Sequence, residues 1–198
     1  MKGEKGERRK QELLKIAYKL FVQKGYEQTS IDEIIAEAHI AKGTYYYHFP
    51  SKESTLEAVI DMMISDEVQR AKAILSAPIS VPQKLVGVIT TLRPQQAEST
   101  IADALNQKDN IIMHDKIGRR IIDEAVPLLK EVVSEGIAQG LFACDHIEER
   151  VKMILIMSHH LFDNGNFTAG DIEVFIDIVE KTLGAQPGTL GFIRDLIN

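Results

Sequence analysis

Tryptophan is absent from the 198-residue chain, and cysteine is reduced to Cys144. A single cysteine excludes an internal disulfide and a cysteine-based zinc site within one chain, and it fits a reducing compartment. No apolar run reaches the roughly eighteen residues that a membrane span requires, so no membrane partner is expected. The N-terminus lacks the apolar core of a secretory signal and mixes both signs of charge, so a cytoplasmic location is expected. Also missing are a glycine-rich phosphate loop ending in Lys-Ser/Thr, a nucleophile elbow and an H-E-x-x-H pair. Neither an enzymatic activity nor a cofactor is expected.

What is there is an ordinary globular composition, 44% hydrophobic and 26% charged. The length suits one or two domains. A net charge of -6 would argue against nucleic acid if it were evenly spread, but it is not. Up to Lys24, eight basic residues stand against the acids Glu4, Glu7 and Glu12; after Glu53 the balance reverses to thirteen basic against twenty-one acidic. A basic end on an acidic body is the electrostatic footprint of a chain that presents one end to nucleic acid, although a solubilising basic tail reads the same way.

The stretch from Thr29 to Glu53 organises the rest. Ser30-Ile31-Asp32-Glu33 has the form of a capping box, in which Ser30 and Glu33 satisfy each other's backbone amides. Ile31, Ile34, Ile35 and Ala38 then share a helical face. After the break at His39-Ile40-Ala41 a second short helix is expected from Lys42 to His48. Phe49, before Pro50, should be its last core-facing residue. Two short helices joined by a tight turn form a helix-turn-helix, whose second helix can enter the major groove. Lys42, Thr44, Tyr46 and His48 offer charge and hydrogen bonds there, Tyr45 and Tyr47 flat apolar area, and Gly43 a close backbone approach. An ordinary surface helix with tyrosines packed on its neighbours is the competing reading.

The flanks make the pattern specific: Ala17, Leu20, Phe21, Gly25, Tyr26, Thr29, Ile34, Ala38, Gly43, Tyr46, Phe49, Lys52 and Leu56 stand in register over about fifty residues. In these positions the chain resembles the N-terminal DNA-binding domain of the TetR (tetracycline-repressor-like) family of bacterial regulators. The resemblance implies that Tyr46 and Lys52 contact phosphates, that Ser30 touches the DNA backbone, and that Lys42 to Tyr47 include the base readers. The expected DNA-binding set is therefore Ser30, Lys42, Gly43, Thr44, Tyr45, Tyr46, Tyr47, His48 and Lys52. The chain departs from the family with His39 where glycine is usual in the turn, and Ala41 where Ser or Thr usually caps the recognition helix. Ile34-Ile35 replaces the usual Ile-Ala pair, and Asp32 stands where many relatives carry Arg.

In chain order, residues 1–6 are expected to be a mobile arm, and Glu7 to Lys24 a helix with Leu13, Leu14, Ala17, Leu20 and Phe21 as its buried stripe, stopped at Gly25. Ser51 should cap a fourth helix reaching about Leu75, either a lever for signals or a rigid linker. Leu85 to Leu92 and Ala97 to Gln107 read as short helices. Asn110 to Gln139 reads as a long one that Pro127 should kink or divide and whose end Gly136 and Gly140 loosen. Asp145 should cap a helix from His146 to Phe162, Asp171 should open one to Leu183, and Thr189 to Ile197 is a last short helix. The expected fold is all-α: an N-terminal three-helix helix-turn-helix domain over residues 1–50, then a larger helical effector-binding and dimerisation domain over 51–198.

The resemblance further implies double-stranded operator DNA, a second copy of the chain and a small-molecule effector as partners. For the dimer interface it points to Val151, Ile154, Leu155, Ser158, Leu161, Ile172, Phe175, Ile176 and Val179, which could equally complete the monomer core. For the effector pocket, Met62, Met63, Met113, Met153 and Met157 offer an adaptable lining, and His114, His159 or Asp163 a polar anchor. His159 and Asp163, with His114 or Asp115, are the best metal candidates, but their spacing is incomplete and no metal site is expected. The function expected is a ligand-responsive, homodimeric regulator, most simply a repressor, since occupancy alone blocks a promoter. An activator, a metal-dependent or hydrolytic enzyme, and a helix-turn-helix used for protein contacts are its rivals.

Overall fold

The computed structural model describes residues 2–92, 111–162 and 166–197, with side chains over 6–92, 115–162 and 166–195. The expected helix Ala97–Gln107 and the side chains of Met113, His114 and Asp163 lie outside the described residues. Among the described residues the fold is all-α. The helices are α1 (Lys2–Lys24), α2 (Ile31–Glu37), α3 (Lys42–His48), α4 (Lys52–Leu75), α5 (Val81–Thr91), α6 (Ile111–Ala138), α7 (Ile147–Phe162), α8 (Ala169–Leu183) and α9 (Ile193–Ile197). They fall into two compact units, Met1–Asp66 with Pro94–Ile117 and Glu67–Arg93 with Gly118–Asn198.

In the first unit the expected stripe of α1 is buried: Leu13, Leu14, Ala17, Leu20 and Phe21. The helix starts earlier than expected, at Lys2, because no proline or cap stops it from propagating through the charged N-terminus. Gly25 ends it at φ +89°, a left-handed geometry that costs glycine least. Thr29 is buried beyond it, its hydroxyl donating to the Gly25 carbonyl at 2.8 Å. The capping box of α2 forms in full: the Glu33 amide donates to Ser30 Oγ at 3.2 Å and the Ser30 amide to the Glu33 carboxylate at 2.8 Å. Ser51 caps α4, accepting from the Ser54 amide at 3.1 Å.

In the second unit, α5 begins four residues before the expected Leu85. Ser80 and Gln83 form a second capping box, and Pro82 sits in the first turn, where its missing amide is not needed. α6 is not divided at Pro127. Pro127 is exposed while Ala125, Val126, Leu128, Leu129, Val132 and Val133 are buried, and that burial offsets the roughly 3 kcal/mol a mid-helix proline costs. Gly136 does not loosen the helix: a side chain there would collide with the Phe142 ring, so glycine lets that ring close over the helix. Asp145 does not cap α7. Its carboxylate accepts from Arg150 Nη2 at 2.8 Å, and His146 turns the chain at φ +47°. Thr168, not Asp171, caps α8; Asp171 is its capping-box partner three residues on. Gly184 closes α8 at φ +64°, against the Ala143 carbonyl. The last helix is shorter than expected, with turns from Pro187 to Phe192 before Ile193.

Candidate nucleic-acid interface

The two-helix element is built from behind. Tyr45 is fully buried, and its hydroxyl lies 2.5 Å from Thr55 Oγ1 on α4. Its ring meets Phe49, buried at the end of α3 and extended at φ -136°, as a residue before proline should be. Burial, the largest cause, raises the Tyr45 phenol above its ordinary pKa. Tyr45 is therefore an anchor, and its expected place among the DNA-contacting residues is corrected: no part of the ring is open to a groove. The signal was present in the sequence, since Tyr45 stands four residues before Phe49 and shares its helical face.

The opposite side of α3 is open. Tyr47 is 83% exposed and Tyr46 43%. Lys42 and Gly43 are exposed, Thr44 and His48 half-buried. A side chain added at Gly43 would meet open space, so the backbone there is accessible. His48 meets Tyr47 edge to face at 5.0 Å. The turn before α3 holds His39 at φ +51°, where a glycine would be unstrained, and Ala41 gives the helix no side-chain cap. The amides at the start of α3 thus lack a side-chain acceptor from the cap residue, which suits an anionic partner.

Lys52, at the start of α4, is held in place. Its ammonium sits 4.1 Å from the centroid of the Tyr26 ring and donates to the Glu27 carbonyl at 3.3 Å. Burial, then Glu53 and Glu27, pushes the Tyr26 phenol far above its ordinary value, so the ring stays neutral. Ser30 is exposed while it caps α2. One feature escaped sequence reasoning. Lys42 Nζ donates to Asp32 Oδ1 at 3.2 Å, an exposed pair joining α2 to α3 ten residues apart. Asp32 raises the Lys42 pKa, first through that hydrogen bond and then through its charge. No pattern of i, i+4 type announces a pair that only the turn brings together.

The other expected sites fare differently. Val151, Ile172, Phe175, Ile176 and Val179 are buried within their own unit, and Ile154, Leu155, Ser158 and Leu161 are half-buried. Within the single chain the first five pack into the core, and the other four keep part of their surface. The exposed apolar side chains of the two helices are Met153 and Ile156 on α7 and Val174 and Ile178 on α8. The second unit holds a partly open pocket of about 90 Å³, walled by α5 to α8 and the C-terminal turn. Neither Met157 nor His159 lines it, and Met153, 69% exposed, does not either. His159 packs against the backbone at Gly118. Met62 and Met63 are half-buried on the part of α4 within the first unit. Among the described residues no three His, Cys, Asp or Glu side chains converge on a metal position, and no helix is long and apolar enough to cross a membrane.

Comparison with known proteins places this geometry. The profile of bacterial regulatory proteins of the tetR family matches residues 13–59. The HTH-type transcriptional regulator YuxN of Bacillus subtilis is 47% identical over 49 residues, a quarter of this chain (25%) but only 17% of YuxN's length. The HTH-type transcriptional repressor KstR2 of Mycolicibacterium smegmatis is 27% identical over 142 residues, covering 69% of each chain. The crystal structure of RolR in complex with its ligand resorcinol superposes with a TM-score of 0.65 at 16% identity, covering 99% of this chain and 96% of that one, which shows a shared fold. A buried anchor behind an open helix, the matched profile and the shared all-helical fold lead to one conclusion: residues 13–59 form a helix-turn-helix domain similar to that of the tetR family of bacterial regulatory proteins.

Proposed function

We propose that the protein is a ligand-responsive repressor that binds a near-palindromic operator as a homodimer and is released by a small-molecule effector. In this reading residues 1–50 read DNA, and residues 51–198 bind the effector and the second copy. One observation carries it: α3 is pinned from behind by Tyr45 while Lys42, Gly43, Tyr46 and Tyr47 stand open on its other side. Tyr46, Lys52 and Ser30 suit phosphates, which fix register; Lys42, Thr44, Tyr47 and His48 suit base edges, which carry sequence.

Repression is favoured because occupancy is enough to block a promoter, and the relative KstR2 is named a repressor. Ligand response is favoured by the cavity in the second unit and by the bound resorcinol of the structural neighbour RolR. The dimer contact we assign to Met153, Ile156, Val174 and Ile178, apolar side chains left open on two helices that pack together. A twofold pair of recognition helices one DNA turn apart doubles the base contacts.

A mobility-shift titration against the DNA upstream of its own gene tests the reading. Specific binding should fall steeply with salt, with a slope near -0.9 for each phosphate neutralised. The Tyr46→Ala, Lys52→Ala double variant should abolish it. Undiminished binding by that variant refutes the assigned contacts, and a folded protein indifferent to every duplex at low salt refutes the function. Val174→Glu with Ile178→Glu should give a monomer in sedimentation; a persisting dimer refutes the interface.

A further inference from the structure

We propose that the cavity of the second unit binds a small, mostly apolar molecule carrying one hydroxyl-type group, and that the C-terminal turn, residues 185–195, is its cover. This rests on the reading of residues 51–198 as an effector-binding body and gives that body a site and a ligand class. Among the described residues that line the cavity, Ser158 is the polar one; the rest are aliphatic or phenylalanine. A buried water needs two to four polar partners, and apolar cavities of comparable size stay dry and accept molecules such as benzene. The pocket is partly open, but among the described residues one serine hydroxyl offers too few partners to order waters against its apolar walls over about 90 Å³. An apolar body entering it therefore displaces only poorly held water, which favours binding. One hydroxyl on it finds a partner in Ser158; a second polar group would be desolvated with nothing to meet it. Charge is disfavoured on the same ground, since none of the described residues that line it is ionisable.

The walls differ in how they are held. Four of them are long helices whose displacement would open the core. The fifth is the turn that brings Leu190, Phe192 and Ile193 to the cavity. It hangs on two carboxylates of α8. Glu180, itself buried, accepts the amides of Gly188 at 3.0 Å and Leu190 at 2.8 Å. Glu173 accepts Arg194 Nε at 2.6 Å and Nη2 at 2.7 Å in a two-pronged pair exposed to solvent. Water competes readily for an exposed pair of this kind, so the outer latch is the one that opens first. Swinging the turn aside breaks these polar contacts and uncovers Leu190 and Ile193, while the helices stay in place.

The test is calorimetric titration of the full chain, without DNA, with 1-hexanol as probe and hexane-1,6-diol and hexanoate as comparisons. One 1-hexanol per chain is expected, with the diol and the carboxylate at least about tenfold weaker. Ser158→Ala should weaken 1-hexanol roughly three- to tenfold. Leu155→Trp and Ile154→Phe, which fill the space from half-buried positions, should abolish uptake at unchanged helical circular dichroism. For the cover, stopped-flow mixing should show Arg194→Ala speeding association and dissociation together, with the Kd held within about twofold. No saturable binding up to the solubility limit, or binding that survives both filling variants, overturns the site. Unchanged rates in Arg194→Ala overturn the cover. Uptake of 1-hexanol with no release of operator DNA refutes the effector reading and leaves the site standing. Operator release by other molecules without 1-hexanol uptake refutes the site and leaves the effector reading.

Discussion

The Tyr45 hydroxyl and the Thr55 hydroxyl meet at 2.5 Å in the interior of the first unit, and Thr55 also donates to the Ser51 carbonyl at 3.1 Å. The contact ties α3 to the start of α4. Tyr45→Phe leaves Thr55 with its second partner, so it should cost only about 1 kcal/mol. Tyr45→Ala empties a fully buried site and should cost about 3–5 kcal/mol. Urea unfolding measures both, and near-equal losses in the two variants would show that the ring is not the anchor.

Two backbone compromises flank α3, and each should be reversible. Ala41→Ser supplies the missing cap and should stabilise the protein by about 1 kcal/mol. His39→Gly relieves a side chain held at φ +51° and should stabilise by a comparable amount, less the entropy that glycine adds to the unfolded chain. Melting temperatures of the two single variants and the double variant check this. A loss of stability from Ala41→Ser would mean that the amides of α3 are already served.

The capping box of α2 makes stability depend on pH. The hydrogen bond from Lys24, with those from the Ser30 amide and hydroxyl, lowers the Glu33 pKa from 4.5 to about 2. A carboxylate depressed in the folded state adds stability above its unfolded value and loses it as pH falls through the folded one. The contribution should therefore be intact above pH 4.5 and fade toward pH 2. Urea midpoints of wild type and Glu33→Gln should converge as the pH is lowered across that window; parallel curves would remove Glu33 as the titrating group.

Asp32 places a negative charge beside α3, the helix proposed to face DNA, and it restrains Lys42. Asp32→Asn should leave stability within about 0.5 kcal/mol, because both partners are exposed. It should raise affinity for non-specific duplex and steepen its salt dependence by about one phosphate. Parallel titrations of operator and random DNA measure the change. Reduced binding to every sequence would show that Asp32 orients Lys42 rather than opposing the phosphates.

Much of the head was legible because its signals are local. Ser30 and Glu33, Gly25, and Phe49 before Pro50 each act within a few residues, and each formed as read. The missed caps at Ser80 and Thr168 are the same motif with a weaker second member, Gln83 or Asp171 in place of glutamate. The Asp32–Lys42 pair was not legible, since its members meet only once the turn is made.

The sequence by itself determined most of the described helices and the helix-turn-helix, because capping, glycine stops and 3.6-residue periodicity are properties of neighbouring residues. Tertiary structure decided which faces turn inward. α7 and α8 are apolar on more than one side, so periodicity could not choose between Val151, Phe175 and Val179 on the one hand and Met153, Ile156, Val174 and Ile178 on the other. It also decided where space remains. A cavity is a shortfall of packing among helices distant in sequence, and no residue in the chain carries that information alone.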